Sequence, residues 1–145
     1  MKKLIILTAI LLTLYHPQHV TAKTNLMIPE IINMVNSERT RRGIAPLVEN
    51  KALDRSAQNK TNDEQKYGYF AHTSPFGASL WYWLKKEGYK FHCAGENLAK
   101  NYMTAKEVVD AWMKSPTHKA NILDKDFKEI GVGVTGGYVA QHFGG

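Results

Sequence analysis

The stretch Ile130-Gly131-Val132-Gly133-Val134-Thr135-Gly136-Gly137-Tyr138-Val139-Ala140-Gln141-His142-Phe143 decides the fold class. On both sides of Gly136-Gly137 the residues alternate with period two and favour extended backbone. Two glycines between such runs form a tight turn, so the segment reads as a β-hairpin. Alternation puts Tyr138, Ala140 and His142 on one face and Val139, Gln141 and Phe143 on the other.

Upstream of the hairpin the period changes from two to that of a helix. Ile28, Ile31, Ile32 and Val35 fall at i, i+3, i+4 and i+7, which predicts an amphipathic helix from about Leu26 to Arg42 with Gly43 as its stop. Ala45-Pro46-Leu47 is an extended link. A second helix begins near Asn50, carries Leu53, Ala57 and Thr61 on one face, and ends at Tyr67-Gly68-Tyr69. Phe70 to Gly77 reads as a loop, followed by a short helix from about Ser79 to Glu87 closed by Gly88. Tyr89 to Cys93 suits a short strand. Thr104 and Glu107 match a capping box ahead of the stripe Ala105, Val108, Val109 and Trp112. Ser115-Pro116 places an N-cap and a first-turn proline at the start of another helix. Helices precede the clearest strands, so the expectation is α+β with a small antiparallel sheet. No internal repeat, linker or low-complexity stretch divides the chain, which is read as one domain.

Composition limits the alternatives. The chain has 145 residues, 43% hydrophobic and 22% charged, with 11 Gly, 5 Pro and 1 Cys. Those values exclude a collagen, a disordered tail and a disulfide scaffold. The one strongly apolar run, Leu4 to Leu14, follows Lys2 and Lys3 and is ended by Pro17. Val20-Thr21-Ala22 then offers small residues for cleavage, so residues 1–22 read as a secretory leader and 23–145 as the working domain. The run is shorter than the roughly 18 apolar residues that span a bilayer, which argues against a stable transmembrane anchor. No cysteine follows it to carry a lipid. The expected location is outside the cytoplasm: secreted or extracellular, with the periplasm or cell wall open.

Cys93 is the single cysteine, so no disulfide forms within one chain. An exported domain without staples relies on its own core or on a metal. The domain reads as a monomer, and a Cys93-linked dimer stays open. The net charge of +6 includes the clusters Arg39, Arg41, Arg42 and Lys85, Lys86, Lys90. These suit helix C-termini and solvated faces. No interleaving of basic and aromatic residues points to nucleic acid.

His72, His92, His118 and His142 follow the leader. No His-Glu-x-x-His, Cys-x-x-Cys or Gly-x-Ser-x-Gly pattern assigns them a role. His72 lies in a Ser/Pro/Gly loop, where side chains are exposed and positioned by neighbours. His118 follows Ser115-Pro116 at a helix start, which disfavours imidazolium and leaves a neutral imidazole ready as a ligand. Glu96, between Gly95 and Asn97, can brace a turn or do acid–base work. His142 reads as a sheet-surface residue rather than a third ligand.

Four blocks together carry a resemblance. Ala94-Gly95-Glu96-Asn97-Leu98-Ala99 resembles the Gly-Glu-Asn motif of the CAP superfamily, which includes cysteine-rich secretory proteins, venom antigens and plant pathogenesis-related proteins. Phe70-Ala71-His72-Thr73-Ser74-Pro75 is similar to its first histidine segment. Trp112 to Leu123, with Ser115, Pro116, His118 and Asn121, resembles the second in its bacterial form. Ile130 to Gly144 resembles the final hairpin. The order is the family's, and the match runs from about Leu26 to Gly144.

The resemblance implies a three-layer α-β-α sandwich around a small central antiparallel sheet. It also implies a cleft holding two histidines, His72 and His118, and the acid Glu96. In eukaryotic members a second acid follows the tryptophan by three residues, and here that position is Ser115. Two histidines and a carboxylate suit an open zinc site with water in the remaining place, whereas the acid pair for general acid–base hydrolysis is incomplete. Glu129 and Asp110 replace the missing acid only if the fold brings them in. Asn97 and Asn121 are candidates to brace the cleft backbone.

Three functional readings follow. The first is a secreted, non-enzymatic binding module whose His/Glu cleft holds a divalent cation such as zinc and whose surface binds a lipid, cell-wall or protein ligand. The alternative is a zinc-dependent, peptidase-like hydrolase using His72, His118 and Glu96. A structural wall protein with a vestigial cleft is a third reading. The run Trp81-Tyr82-Trp83 cannot point one way on a helix, so part of it faces solvent or a groove.

Overall fold

The computed structural model describes the backbone of residues 18–145 and side chains from residue 27 onward. The leader's apolar run and Pro17 lie outside the described residues. The first helix, α1, spans Gln18–Thr40, so it starts earlier than the apolar stripe predicts and carries the backbone of Val20-Thr21-Ala22. It closes through turns to Gly43, whose φ of 71° only glycine adopts without strain. Among the described residues no helix is long and apolar enough to cross a membrane.

Strand β1 (Val48–Glu49) begins one residue beyond the Ala45-Pro46-Leu47 link, where the sequence reading places no strand. Helix α2 (Lys51–Tyr67) follows directly. Asn50 caps it by accepting from the Ala52 and Leu53 amides, and Gly68 ends it in the left-handed conformation. Helix α3 (Leu80–Lys86) follows the loop. Strand β2 (Ala94–Lys100) begins one residue beyond the predicted Tyr89–Cys93 strand, so the Gly-Glu-Asn segment is itself a strand. The Cys93 and His92 amides instead donate to the Gly145 carbonyl. Helix α4 (Ala105–Lys114) has the predicted capping box from Thr104 and Glu107. Helix α5 (Pro116–Leu123) starts at Ser115, but the Ser115 side chain makes no capping hydrogen bond; it meets the Thr117 hydroxyl at 3.3 Å. The N-cap position is therefore right and the capping bond is not made. Strands β3 (Glu129–Thr135) and β4 (Tyr138–Gly144) form the predicted hairpin.

The four strands run in the order β1-β3-β4-β2. β2 and β3 flank β4 antiparallel, while β1 joins β3 in parallel, so the central sheet is antiparallel with one short parallel edge. Helix α2 covers one face. Helices α1, α4 and α5 cover the other, which gives the expected three layers.

The sheet's two faces differ in chemistry. Ile130, Val132, Val134, Val139 and Phe143 join Ile31, Val35, Val108, Trp112 and Ile122 in the main core. On the α2 side, Gly131 and Gly133 let the helix rest on the strand backbone. A Cβ on Gly131 would stand 2.2 Å from the Leu53 carbonyl carbon, and one on Gly133 2.3 Å from that of Ala57. The glycines in Ile130-Gly-Val-Gly-Val134 are thus the contact surface for α2, and their close fit positions its polar side chains over β4 and β2.

Candidate functional site

Helix α2 buries more than its apolar stripe. Ser56, Lys60 and Glu64 recur every four residues and are all fully buried. This polar line faces β4, β2 and the loop carrying His72.

Glu96 and His142 are register partners across β2 and β4, on the α2 side of the sheet. His142 Nε2 lies 2.9 Å from Glu96 Oε2, and its Nδ1 lies 2.8 Å from Ser56 Oγ. The two ring nitrogens of His142 thus bridge the Ser56 hydroxyl and the Glu96 carboxylate. The other Glu96 oxygen, Oε1, lies 2.6 Å from His72 Nδ1. A continuous chain Ser56–His142–Glu96–His72 thus runs from the interior to solvent, where the His72 side chain is 66% exposed. The sequence reading of His142 as a sheet-surface residue is corrected: it is 0% exposed, because α2 covers that face.

Burial by itself would raise the Glu96 pKa. The hydrogen bonds to His142 and His72, with the charges of His142 and Lys60, outweigh it and hold the carboxyl down at about 2. The His72 pKa is raised, chiefly by its hydrogen bond to Glu96, against the opposing effect of burial. That bond engages Nδ1 and leaves Nε2 for a ligand, the arrangement by which a carboxylate orients a histidine. The His118 pKa is lowered, first by burial and then by the charge of nearby His72. His118 is the third residue of α5, so its neutral form rests on these causes rather than on the helix end alone.

The two asparagines brace the opposite side of β2. Asn97 donates from Nδ2 to the His118 carbonyl at 3.1 Å and to Gln141 Oε1 at 3.0 Å. Asn121 donates to the Glu96 carbonyl at 3.2 Å and to Asn97 Oδ1 at 2.9 Å. Together they tie α5, and with it His118, to the strand that carries Glu96. Ser115 is half-buried beside Thr117 and brings no carboxylate. The possible replacement acids stay away. Glu129 is bound by Asn50 and Tyr89, and Asp110 pairs with Lys106 on α4. His92 is exposed outside this arrangement.

Lys60 anchors the His72 loop from below. Its ammonium donates to the Ala71 carbonyl and the Tyr69 hydroxyl at 2.5 and 3.2 Å. Glu64 Oε1 is 3.6 Å away, and neither Glu64 oxygen has a hydrogen-bond partner. Burial, opposed by Lys60 and reinforced by the charge of Glu96, pushes the Glu64 carboxyl up to about 7. Ser56, Lys60 and Glu64 escape sequence reasoning, their signal being the four-residue recurrence of polar residues on α2, and His142 is misplaced by it.

Among the described residues no three His, Cys, Asp or Glu side chains are gathered to hold a metal. Both Glu96 oxygens already meet imidazoles. The Glu96 carboxylate therefore stands behind His72 as its hydrogen-bond acceptor rather than as a free ligand.

A family model described as CAP, the cysteine-rich secretory protein family, matches residues 32–143. Over 104 residues the chain is 40% identical to the uncharacterized protein YkwD of Bacillus subtilis, covering 72% of this chain and 40% of that protein. Over 114 residues it is 32% identical to the uncharacterized membrane protein YlbC of the same organism, covering 79% of this chain and 33% of that protein. The chain thus spans well under half the length of these relatives. The crystal structure of an extracellular SCP-domain protein from Bacillus anthracis superposes with a TM-score of 0.85 at 26% identity, over 89% of this chain and 43% of that one.

Proposed function

Because this chain belongs to the cysteine-rich secretory protein (CAP) family, we propose that it is an extracellular, non-enzymatic binding module. Residues 23–145 form its working domain after removal of a leader. Its cleft presents His72 and His118, and it binds a lipid, cell-wall or protein ligand outside the cell. An extracellular location is supported by the leader-like start and by the similar extracellular protein of B. anthracis.

The engagement of Glu96 carries this reading. A general base needs a free oxygen and a pKa near the working pH. Glu96 has both oxygens on imidazoles and a carboxyl held at about 2. It suits orienting His72 rather than accepting a proton from water. Ser115 brings no carboxylate to the second acid position, and Glu64, whose carboxyl is pushed up to about 7, is fully buried under the His72 loop, where water does not reach it.

In the binding reading a divalent cation, zinc by the preference of imidazole, engages His72 and His118 with water completing its shell. Its affinity is modest, since two neutral ligands bring no charge. Zinc titration of residues 23–145 by calorimetry tests this, alongside His72→Ala and His118→Ala. Each substitution is expected to weaken binding about tenfold or more; unchanged affinity in both removes the cation from the proposal. A peptide and ester screen tests the absence of catalysis. Turnover that Glu96→Gln abolishes would replace the binding reading with the hydrolase.

A further inference from the structure

Five of the exposed large apolar side chains fall within residues 67–82: Tyr67, Phe70, Phe76, Trp81 and Tyr82. Three of them, Tyr67, Phe76 and Tyr82, line a groove of about 360 Å³ together with Asp63, Ser74 and the Gly77-Ala78 segment. The groove lies on the outer side of the loop that carries His72 and shares no residue with the His72–Glu96–His118 cleft.

Its walls are held in place. Ser74 is buried, and its hydroxyl oxygen accepts from the Phe76 and Ala78 amides at 3.2 and 3.0 Å. The Gly77 amide returns to the Ser74 carbonyl, and Gly77 has a φ of 85° that favours glycine. This turn presents Phe76, 73% exposed, against Tyr67 at the end of α2. The two ring centroids are 4.8 Å apart with planes at 69°, so the rings form a corner rather than a flat patch. Tyr82 adds a third ring. Asp63 Oδ2 accepts from the Tyr69 hydroxyl at 2.6 Å, which fixes the carboxylate at the groove wall.

Three aromatic rings and a carboxylate line one groove that has no lysine or arginine among its lining residues, so its walls carry negative potential. That combination favours a large, weakly hydrated cation over a neutral apolar group. The Lys66 ammonium lies 4.9 Å from the Tyr67 ring centroid, so one face of Tyr67 already carries a cation and Phe76 and Tyr82 are the rings left to an added one. We propose that the Tyr67–Phe76–Tyr82 groove, with Asp63 at its wall, binds a trimethylammonium group of the choline type.

The test is calorimetric titration of residues 23–145 with choline and with its uncharged isostere 3,3-dimethylbutan-1-ol. Choline is expected to bind and the isostere to bind several-fold more weakly. Phe76→Ala removes a surface ring and is expected to lower choline affinity about two- to fivefold, the cost of an exposed cation–π face. Phe76→Trp is expected to keep or improve it, and Asp63→Asn to weaken it. Zinc affinity is expected to stay unchanged in Phe76→Ala, which separates this groove from the histidine cleft. Phosphocholine in solution compared with phosphatidylcholine vesicles separates a soluble source of the group from a lipid one. Absence of choline binding, equal affinity for the isostere, or undiminished affinity in folded Phe76→Ala overturns the proposal.

Discussion

His142 Nε2 lies 2.9 Å from Glu96 Oε2, between two strands whose register sets these residues directly opposite each other. The interaction is fully enclosed on the His142 side, and Ser56 completes it. The glutamate that the cleft presents is therefore held from behind by a histidine no ligand can reach.

Replacing His142 by Leu keeps the volume but leaves Glu96 with a buried oxygen lacking its donor, and Ser56 without an acceptor. The expected loss is about 3 kcal/mol of unfolding free energy, the cost of leaving a buried carboxylate oxygen without its donor. Urea denaturation of His142→Leu measures it. A change within a few tenths of a kcal/mol would mean that the pair contributes nothing to stability.

Lys60 and Glu64 make a second buried pair, less well matched. Their charged atoms are 3.6 Å apart and the Glu64 oxygens are unpartnered. Removing either alone leaves a buried polar group without its counter-charge, so Lys60→Met and Glu64→Met are each expected to destabilise. The double variant removes both desolvation costs. It is expected to be more stable than either single variant and within about 1 kcal/mol of the parent. A double-mutant cycle by denaturation reads the coupling, and additive effects would contradict it.

Glu64 also predicts a pH dependence. Its folded pKa of about 7 lies above its ordinary value of 4.5. Between those values the folded state binds more protons than the unfolded one, so stability falls as pH rises through that window. Glu96 acts oppositely and lower down. Its folded value of about 2 means its contribution is present above 4.5 and lost as pH falls toward 2. Because the His72 pKa is raised, its contribution is present below its ordinary 6.5 and lost as pH rises further. Glu64→Gln should flatten the melting temperature profile between pH 4.5 and 7 and leave the acid limb. An unchanged profile in that window would remove Glu64 as its cause.

The glycines of β3 give a prediction independent of charge. An added methyl at Gly131 meets helix backbone at 2.2 Å, and the helix cannot yield as a flexible side chain would. Gly131→Ala and Gly133→Ala are each expected to cost about 2 kcal/mol or more. Gly43→Ala has open space and loses only the left-handed backbone preference, so it is expected to cost about 1 kcal/mol. Thermal melts of the three variants check the order.

Much of the fold is legible without coordinates, and the reasons are local. Asn50 and the Thr104–Glu107 box bind amides within three residues of themselves, and Gly43, Gly68 and Gly88 answer a backbone need at one position. The Gly136-Gly137 hairpin is equally local. The strands read less well are those whose pairing is distant. β1 is two residues long and has a partner 81 positions further along the chain. β2 has both faces covered and so shows no alternation between apolar and polar residues.

The candidate site divides the same way. His72, Glu96, His118, Asn97 and Asn121 stand in recognisable motifs, and the structure brings them together around β2. Ser56, Lys60, Glu64 and His142 carry no such mark. Sequence determined which side chains share a helix stripe or a strand face, because those periods follow from backbone geometry. Only the tertiary structure decided which faces are covered. Helix α2 resting on Gly131 and Gly133 turns an apparently exposed histidine into the buried partner of Glu96. Burial depends on segments far apart in sequence, and it sets both the partners and the pKa of each polar group.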